Sequence, residues 1–265
     1  MPYADLHVHT TRSDGSLELE AVPDAARRAG VTVVALTDHD RLQPFDEPWI
    51  ERDGVTIVHG VELRVEAADG QRVDLLAYGV EPTDALEALL EEIQANRRER
   101  GRAIVDCVEA RLGVDLDVTV DDGFGRPHVA RAVADHPDTE YDYQGTFDHL
   151  IGFEKPCYVP REVPSFDRGR RALAEASALV SLAHPLRYRF PERALELVAD
   201  LDAVELYYPY GRDVDRNPVE EAVDRFDVHA TGGSDAHDDR LGVAGLSEGT
   251  FTALGLFTES GRRNR

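Results

Sequence analysis

The sequence predicts an α/β protein built as a βα barrel, and three observations carry that reading. Seven short strand-like runs alternate with stretches of helical apolar spacing. Nearly every one of those runs is followed at once by a His or acidic residue. The chain, at 265 residues, is long enough for one large domain with a sizeable insertion to bury a core.

The runs cover residues 3–7, 31–37, 55–60, 73–79, 178–183, 203–207 and 227–231. Between the first two, residues 17–29 place apolar side chains at helical spacing, with Ser16 as the expected N-cap and Gly30 as the stop. That is one βαβ unit. A barrel of such units gathers its loops at the C-terminal ends of the strands, which is where the His and acidic clusters fall. Residues 84–160 break the rhythm: 86–112 read as a long helix rich in Glu and Arg, and 127–135 as a second helix after a Gly-rich turn at 123–125. We expect one domain over 1–265 with a helical insertion, about 84–160, capping the C-terminal face. The polar tail 259–265 is expected to fray.

Composition narrows the function. Asp and Glu total 52 against 29 Lys and Arg, a net charge of -23 spread along the chain, which excludes a surface that coats double-stranded nucleic acid. Lys155 is the one lysine. Dense carboxylates with almost no Lys fit a halophilic setting, where salt screens their repulsion, so melting temperature is expected to rise from low to molar KCl. Cys107 and Cys157 are not in a CxxC pair, and their spacing argues against a disulfide framework or a thiolate zinc site. A reducing cytoplasm is the expected location. No apolar run approaches the roughly 18 residues of a membrane span, and the first motif follows Met1 within a few residues, so neither a signal peptide nor membrane association is expected.

Five clusters carry the chemistry: DLHVHT (5–10), TDHD (37–40), HGVE (59–62), LAHP (182–185) and GSDAH (233–237). Side chains alternate along a strand, so Asp5, His7 and His9 share one side. Two imidazoles at that spacing chelate a divalent metal, and Asp5 is expected to accept the free ring N–H. His39 follows an apolar strand between two Asp residues, a costly placement unless a cation or water meets it, with Asp40 as its expected orienting partner. Asp235 and His237 share a face after the Gly232–Gly233 turn. Glu62 ends its strand with two oxygens that can bridge two metals, and His184 completes the set. His59 reads as packed or supporting, and His136, His149 and His229 as surface or satisfied core residues. His128 differs, because Arg126 and His128 two apart can hold a phosphate together.

As a set, DLHVHT, TDHD, GVE, LAHP and SDAH resemble the PHP (polymerase and histidinol phosphatase) superfamily of metal-dependent phosphoesterases, in order and across nearly the whole chain. TTRSDGS, GRPHVARAV, KPCYVP and LAHPLRY are most similar to the branch acting on 3′,5′-nucleoside bisphosphates or trimming RNA from its 5′ end. The resemblance implies a distorted (β/α)7 barrel and two or three divalent metals, Mn, Zn or Fe. It places one metal on His7, His9, Glu62 and Asp235, a second on Glu62, His184 and a fourth-strand residue, and a third on Asp14, His39 and His237. The fourth-strand position often carries His in the family, whereas this chain offers Asp74, a harder ligand that favours Mn over Zn.

The chemistry implied is attack on phosphorus by water whose pKa the cations lower from about 15.7 towards about 7. Asp40 and His39 are the candidate catalytic residues, and Arg126, His128 and Arg187 the candidate substrate contacts, with Arg131 and Lys155 adding positive charge. The expected partner is a small phosphorylated compound or short single-stranded RNA. Two competing readings stay open, a phosphatase of another small metabolite such as histidinol phosphate and a non-catalytic metal-bound scaffold. Oligomeric state is unspecified.

Overall fold

The computed structural model describes residues 1–257, so the polar tail 259–265 lies outside the described residues. The chain divides into two compact units, the first formed by residues 1–89 with the chain from Val163 onward, and the second by residues 90–162.

The first unit is a curled sheet of eight strands: β1 (Ala4–Val8), β2 (Val33–Leu36), β3 (Trp49–Arg52), β4 (Val55–Glu66), β5 (Arg72–Tyr78), β6 (Leu179–Leu182), β7 (Ala203–Tyr207) and β8 (His229–Gly232). All seven runs read from the sequence are strands, and they pair in the order β1-β2-β4-β5-β6-β7-β8, with β3 added beside β4. A bridge from Val8 to Ala236, just past β8, brings the first strand beside the chain leaving the last. The sheet departs from the all-parallel expectation at β5, which runs antiparallel to both β4 and β6. The reason is local. β4 continues to Glu66, and only five residues join it to β5, too few for the crossover that a parallel pair needs.

Helices α1 (Val22–Ala29), α5 (Phe166–Ala176), α6 (Pro191–Glu196), α7 (Asn217–Phe226) and α8 (Glu248–Ala253) belong to this unit, and α2 (Asp84–Leu112) leaves it after Leu89. The α1 stop at Gly30 is as expected, in the left-handed conformation with φ 70°. Its start is not. Pro23 lacks the N–H that a helix begun at 17 would require there, so α1 opens at Val22 with Pro23 in its first turn, and the Ser16 hydroxyl donates to the His237 carbonyl instead of capping. Two apolar clusters fill the unit: Leu6, Val58, Leu76 and Tyr78 among others in one, Val22, Val34, Leu36 and Ile57 in the other. No helix among the described residues is long and apolar enough to cross a membrane.

The second unit holds the rest of α2, α3 (Arg126–Asp135), α4 (Tyr143–Thr146) and a π-turn at 147–151, around a core that includes Ile104, Val108, Phe124, Val133 and Ile151. Cys107 and Cys157 form a disulfide with Cα atoms 5.6 Å apart. This corrects the reading of two unpaired thiols. A separation of 50 residues leaves no local signature, and the pair meets because α2 and the chain after the π-turn pack on one core. Disulfides persist in oxidising surroundings, so these two cysteines do not favour a reducing compartment.

Candidate metal centre

The strand ends deliver the clusters to one point. His7 sits inside β1 and His9 just after it, both fully buried. The chain after β2 forms a parallel bridge from His39 to Glu62, and the Asp40 N–H donates to the Glu62 carbonyl at 2.9 Å. His184 follows β6, and Asp235 and His237 follow β8. Three residues here hold positive φ without being glycine: Asp40 at 53°, His184 at 29° and Asp235 at 52°. Such conformations cost roughly 1–3 kcal/mol each and persist where the surroundings impose them. Gly233 is required by close approach, since a Cβ there would collide with the backbone nitrogen and Cβ of His7.

The imidazoles and carboxylates converge as donors around common centres. Glu62 Oε2 lies 3.5 Å from His7 Nε2, 3.2 Å from His9 Nε2 and 3.0 Å from His39 Nδ1, while Oε1 lies 3.1 Å from His184 Nε2. Asp235 Oδ1 faces His7 and His9 at 3.4 and 3.3 Å. Asp14 stands 3.4 Å from His237 and 3.8 Å from His39. Four groups have the ligand atoms for a cation: His9, Asp14, His39 and His237; His7, His9 and Glu62; His7, His184 and Asp235; and Glu62, Asp74 and His184.

Electrostatics point the same way. Burial alone would drive the His7 imidazole down, yet Glu205, Asp235 and Glu62 overcome it and hold the group well above its ordinary value. His9 behaves alike: burial lowers it, Asp235 and Glu62 raise it, and it settles at about 10. Glu62 and Asp235 are correspondingly held low, against burial, by the histidines around them. His7 Nε2, both His9 ring nitrogens and Glu62 Oε2 are buried without a hydrogen-bond partner among the described residues. Orphaned nitrogens and carboxylate oxygens facing one another at about 3.0–3.5 Å suit divalent cations, and this donor set fits Mn, Zn or Fe.

One orienting role falls to another residue than expected. Asp5 accepts backbone N–H groups, from Ser234 and Gly242 at 2.8 Å each, so it ties β1 to the last loop and does not hold a ring. The ring of His7 is held by Glu205, whose Oε1 lies 3.0 Å from Nδ1 and whose Oε2 accepts from the His184 N–H at 2.7 Å. For His39, the two ring nitrogens face Glu62 and Asp14. Asp40 is buried beside them.

Sequence reasoning missed Glu205, Tyr208 and Asp38. Glu205 is an acid inside an otherwise apolar buried strand, AVELY, and that was its available signal. The Tyr208 hydroxyl donates to Asp235 Oδ2 at 2.7 Å, and Arg187 reaches both Tyr208 Oη (2.8 Å) and Asp235 Oδ2 (3.0 Å). Asp38 accepts from the backbone and hydroxyl of Thr10, from Ser13 and from Gln43, fixing the two motif loops together. His59 is packed as expected: it lies edge-on to Phe45, its Nε2 accepts the Gln43 N–H at 3.0 Å, and burial pushes it down to about 4.

Arg126 and His128 lie in the second unit. The Arg126 guanidinium sits 5.7 Å from the Phe147 ring and 5.8 Å from the Tyr158 ring, and donates to the Ile151 carbonyl at 3.3 Å. His128 accepts the Gly125 N–H on Nδ1, which leaves Nε2 as the nitrogen that carries a proton. Arg100 is lowered to about 10 by burial and by Arg126, Arg161 and Arg97 nearby, so four guanidinium groups crowd together.

Barrel and centre together define a metal-dependent hydrolase. The chain belongs to the PHP domain family, whose model matches residues 5–184. It is 31% identical over 246 residues to a phosphoribosyl 1,2-cyclic phosphate 1,2-diphosphodiesterase of Eggerthella lenta, covering 88% of this chain and 93% of that protein. It is 28% identical to a 3′,5′-nucleoside bisphosphate phosphatase of Chromobacterium violaceum (89% and 88% covered) and 27% identical to a 5′-3′ exoribonuclease of Haemophilus influenzae (88% and 89% covered). In fold it is similar to a crystal structure described as a metal-dependent phosphoesterase of Bifidobacterium adolescentis, with TM-score 0.75, 23% identity, and 95% and 94% of the two chains covered.

Proposed function

We propose that this protein is a metal-dependent phosphoesterase that hydrolyses small nucleotide-type phosphate esters, a 3′,5′-nucleoside bisphosphate or the 5′ end of short RNA. The observation that carries the reading is the convergence of five histidines and four carboxylates, more ligands than one divalent ion uses, on the strand ends of one barrel. The residues that would hold cations are His7, His9, Glu62 and Asp235 at one position and Asp14, His39 and His237, with His9 adjoining, at another. His184 adds a ligand beside Glu62, with Asp74 next to it.

Bound Mn, Zn or Fe would supply positive charge to the phosphate and lower the pKa of water. The remaining work belongs to the chain. Glu205 and Asp38 fix the rings and loops, so that the ligands meet the substrate without reorganising. Arg187, braced on Tyr208 and Asp235, offers a guanidinium to a phosphate oxygen. Asp40 is the candidate for returning a proton to the leaving oxygen, with His39 beside it. The four arginines of the second unit support a substrate with a further phosphate, because such mutual repulsion within a chain of net charge -23 is relieved by an anion. In this reading Arg126 and His128 hold the phosphate that is not cleaved. The acidic, lysine-poor composition supports a high-salt cytoplasmic setting.

A substrate panel with added Mn tests the assignment. We expect kcat/KM for a 3′,5′-bisphosphate or a 5′-phosphorylated short RNA to exceed that for simple monophosphates by about 100-fold, two further phosphate contacts at about 1.4 kcal/mol each. Preference for a ribose 1,2-cyclic phosphate would move the assignment to a cyclic phosphodiesterase, and equal rates on all monoesters to a general phosphatase. Failure to turn over even p-nitrophenyl phosphate would leave the scaffold reading standing.

A further inference from the structure

Strands β4 and β5 pair with Arg64 directly opposite Asp74. Alternation along β4 puts Arg64 on the same side as Glu62, two residues earlier, so the group of Glu62, Asp74 and His184 has a fixed cation as its neighbour. The contact is a two-pronged one. Arg64 Nε donates to Asp74 Oδ1 at 2.7 Å and Nη2 donates to Oδ2 at 2.6 Å. Asp74 is itself locked in place: its N–H donates to the Tyr188 hydroxyl at 2.8 Å, and its carbonyl accepts the Ala183 N–H at 3.0 Å.

This corner therefore differs from the rest of the centre. His7, His9 and Glu62 present atoms that lack a hydrogen-bond partner among the described residues, whereas both oxygens of Asp74 are engaged by one guanidinium, the geometry in which a carboxylate is best satisfied. Asp74 Oδ2 also stands 3.8 Å from His184 Nε2, wider than the 3.1 Å between that nitrogen and Glu62. A divalent ion placed among Glu62, Asp74 and His184 would have to share Asp74 with Arg64 and sit within a few ångströms of a like charge in a region shielded from water. Arginine does not relieve this by losing its proton.

We propose that Arg64 takes the place of a third divalent cation: Asp74 is the counter-ion of Arg64, the centre binds two metal ions, and the guanidinium, 41% exposed along its side chain, supplies the remaining positive charge to an incoming phosphate. This rests on the phosphoesterase reading above. It also separates residues that share one corner by their chemistry, leaving Glu62 and His184 to the metals and Asp74 to Arg64.

Metal content per chain is the test, measured by elemental analysis after saturation with Mn and removal of free ion. Wild type is expected to retain two ions and Asp74→Asn also two, whereas Arg64→Met, which frees the carboxylate, should gain one and retain three. Circular dichroism melts of each variant show whether it is folded, and the wild-type count needs no variant at all. Three ions in wild type, the loss of one in folded Asp74→Asn, or no gain in folded Arg64→Met would overturn the proposal while leaving a metal enzyme in place. Uptake of no metal by wild type would overturn the phosphoesterase reading instead.

Discussion

The two units of this chain handle charge in opposite ways. In the barrel unit, carboxylates around the centre are buried and anchored by an imidazole, by backbone amides or by hydroxyls: Glu205 on His7, Asp5 on Ser234 and Gly242, Asp38 on Thr10 and Ser13. In the inserted unit, arginines crowd one another, and Arg126 is held between aromatic rings instead of against an acid. Groups of mixed sign at fixed spacing suit a cation and the chemistry it supports. Clustered guanidinium groups with aromatic support suit recognition of an anion, because their mutual repulsion falls when an anion binds. Under the proposed function the reaction belongs to one unit and selection to the other, and mutation can separate those roles.

The largest effect is expected from breaking the barrel's centre. His7→Ala removes a ring that faces Glu62 and Asp235 and is held by Glu205, leaving three buried carboxylates with one fewer partner. Metal content should fall by at least one ion per chain and kcat by about 1000-fold on every substrate, a barrier increase of roughly 4 kcal/mol. Elemental analysis and kinetics on both a bisphosphate and p-nitrophenyl phosphate check this. A loss confined to one substrate would mean that His7 serves selection, and the division between units would fail.

The insertion should behave in the opposite manner. Arg126→Ala removes a fork worth roughly 1.5–3 kcal/mol to a phosphate, so kcat/KM for a 3′,5′-bisphosphate should drop about 10- to 100-fold. Hydrolysis of p-nitrophenyl phosphate, which has no second phosphate, should change less than twofold. Equal losses on the two substrates would place Arg126 at the reacting phosphate or in the fold of its unit.

How much of this was legible in the sequence depended on whether the signal was local. His7 and His9, or Asp235 and His237, announce themselves by spacing along one extended segment, and Gly30 marks its helix end by a conformation other residues resist. Partners brought from distant strands carry no such mark. Glu205 meets His7 across 198 positions, and Cys107 meets Cys157 across 50, so neither contact could be read before the fold was known. Arg64 and Asp74 are an intermediate case. They are ten residues apart on a hairpin, but the expectation that β4 ended at residue 60 left Arg64 in a loop and hid the register that pairs them. Reading Asp5 as a ring-orienting group failed for a related reason, since residues two apart on a strand point to the same side without the one touching the other's ring.

The smallest effect separates the units by pH. The inserted unit's arginines keep their charge throughout the mildly acidic range, since even Arg100, pushed down by burial and its neighbours, titrates near 10. The barrel holds a group that does not. His59 is fully buried against Phe45, accepts the Gln43 N–H, and is pushed by burial to about 4, whereas in the unfolded chain an imidazole protonates near 6.5. With the folded value below the unfolded one, the neutral ring stabilises the fold fully above about pH 6.5. That contribution is lost as pH falls from there towards 4, because the unfolded state takes up the proton first. A difference of some 2.5 pH units corresponds to about 3 kcal/mol at most. His59→Leu should lower stability at pH 7.5, where the Gln43 N–H loses its acceptor, yet flatten the decline between pH 6.5 and 4 by about that amount. Denaturant melts of both proteins at each pH measure the slope, and the difference between them removes contributions that the two share. If the two curves stay parallel across the range, the acid sensitivity of the barrel lies in groups other than His59, and burial of this ring carries no cost in protonation.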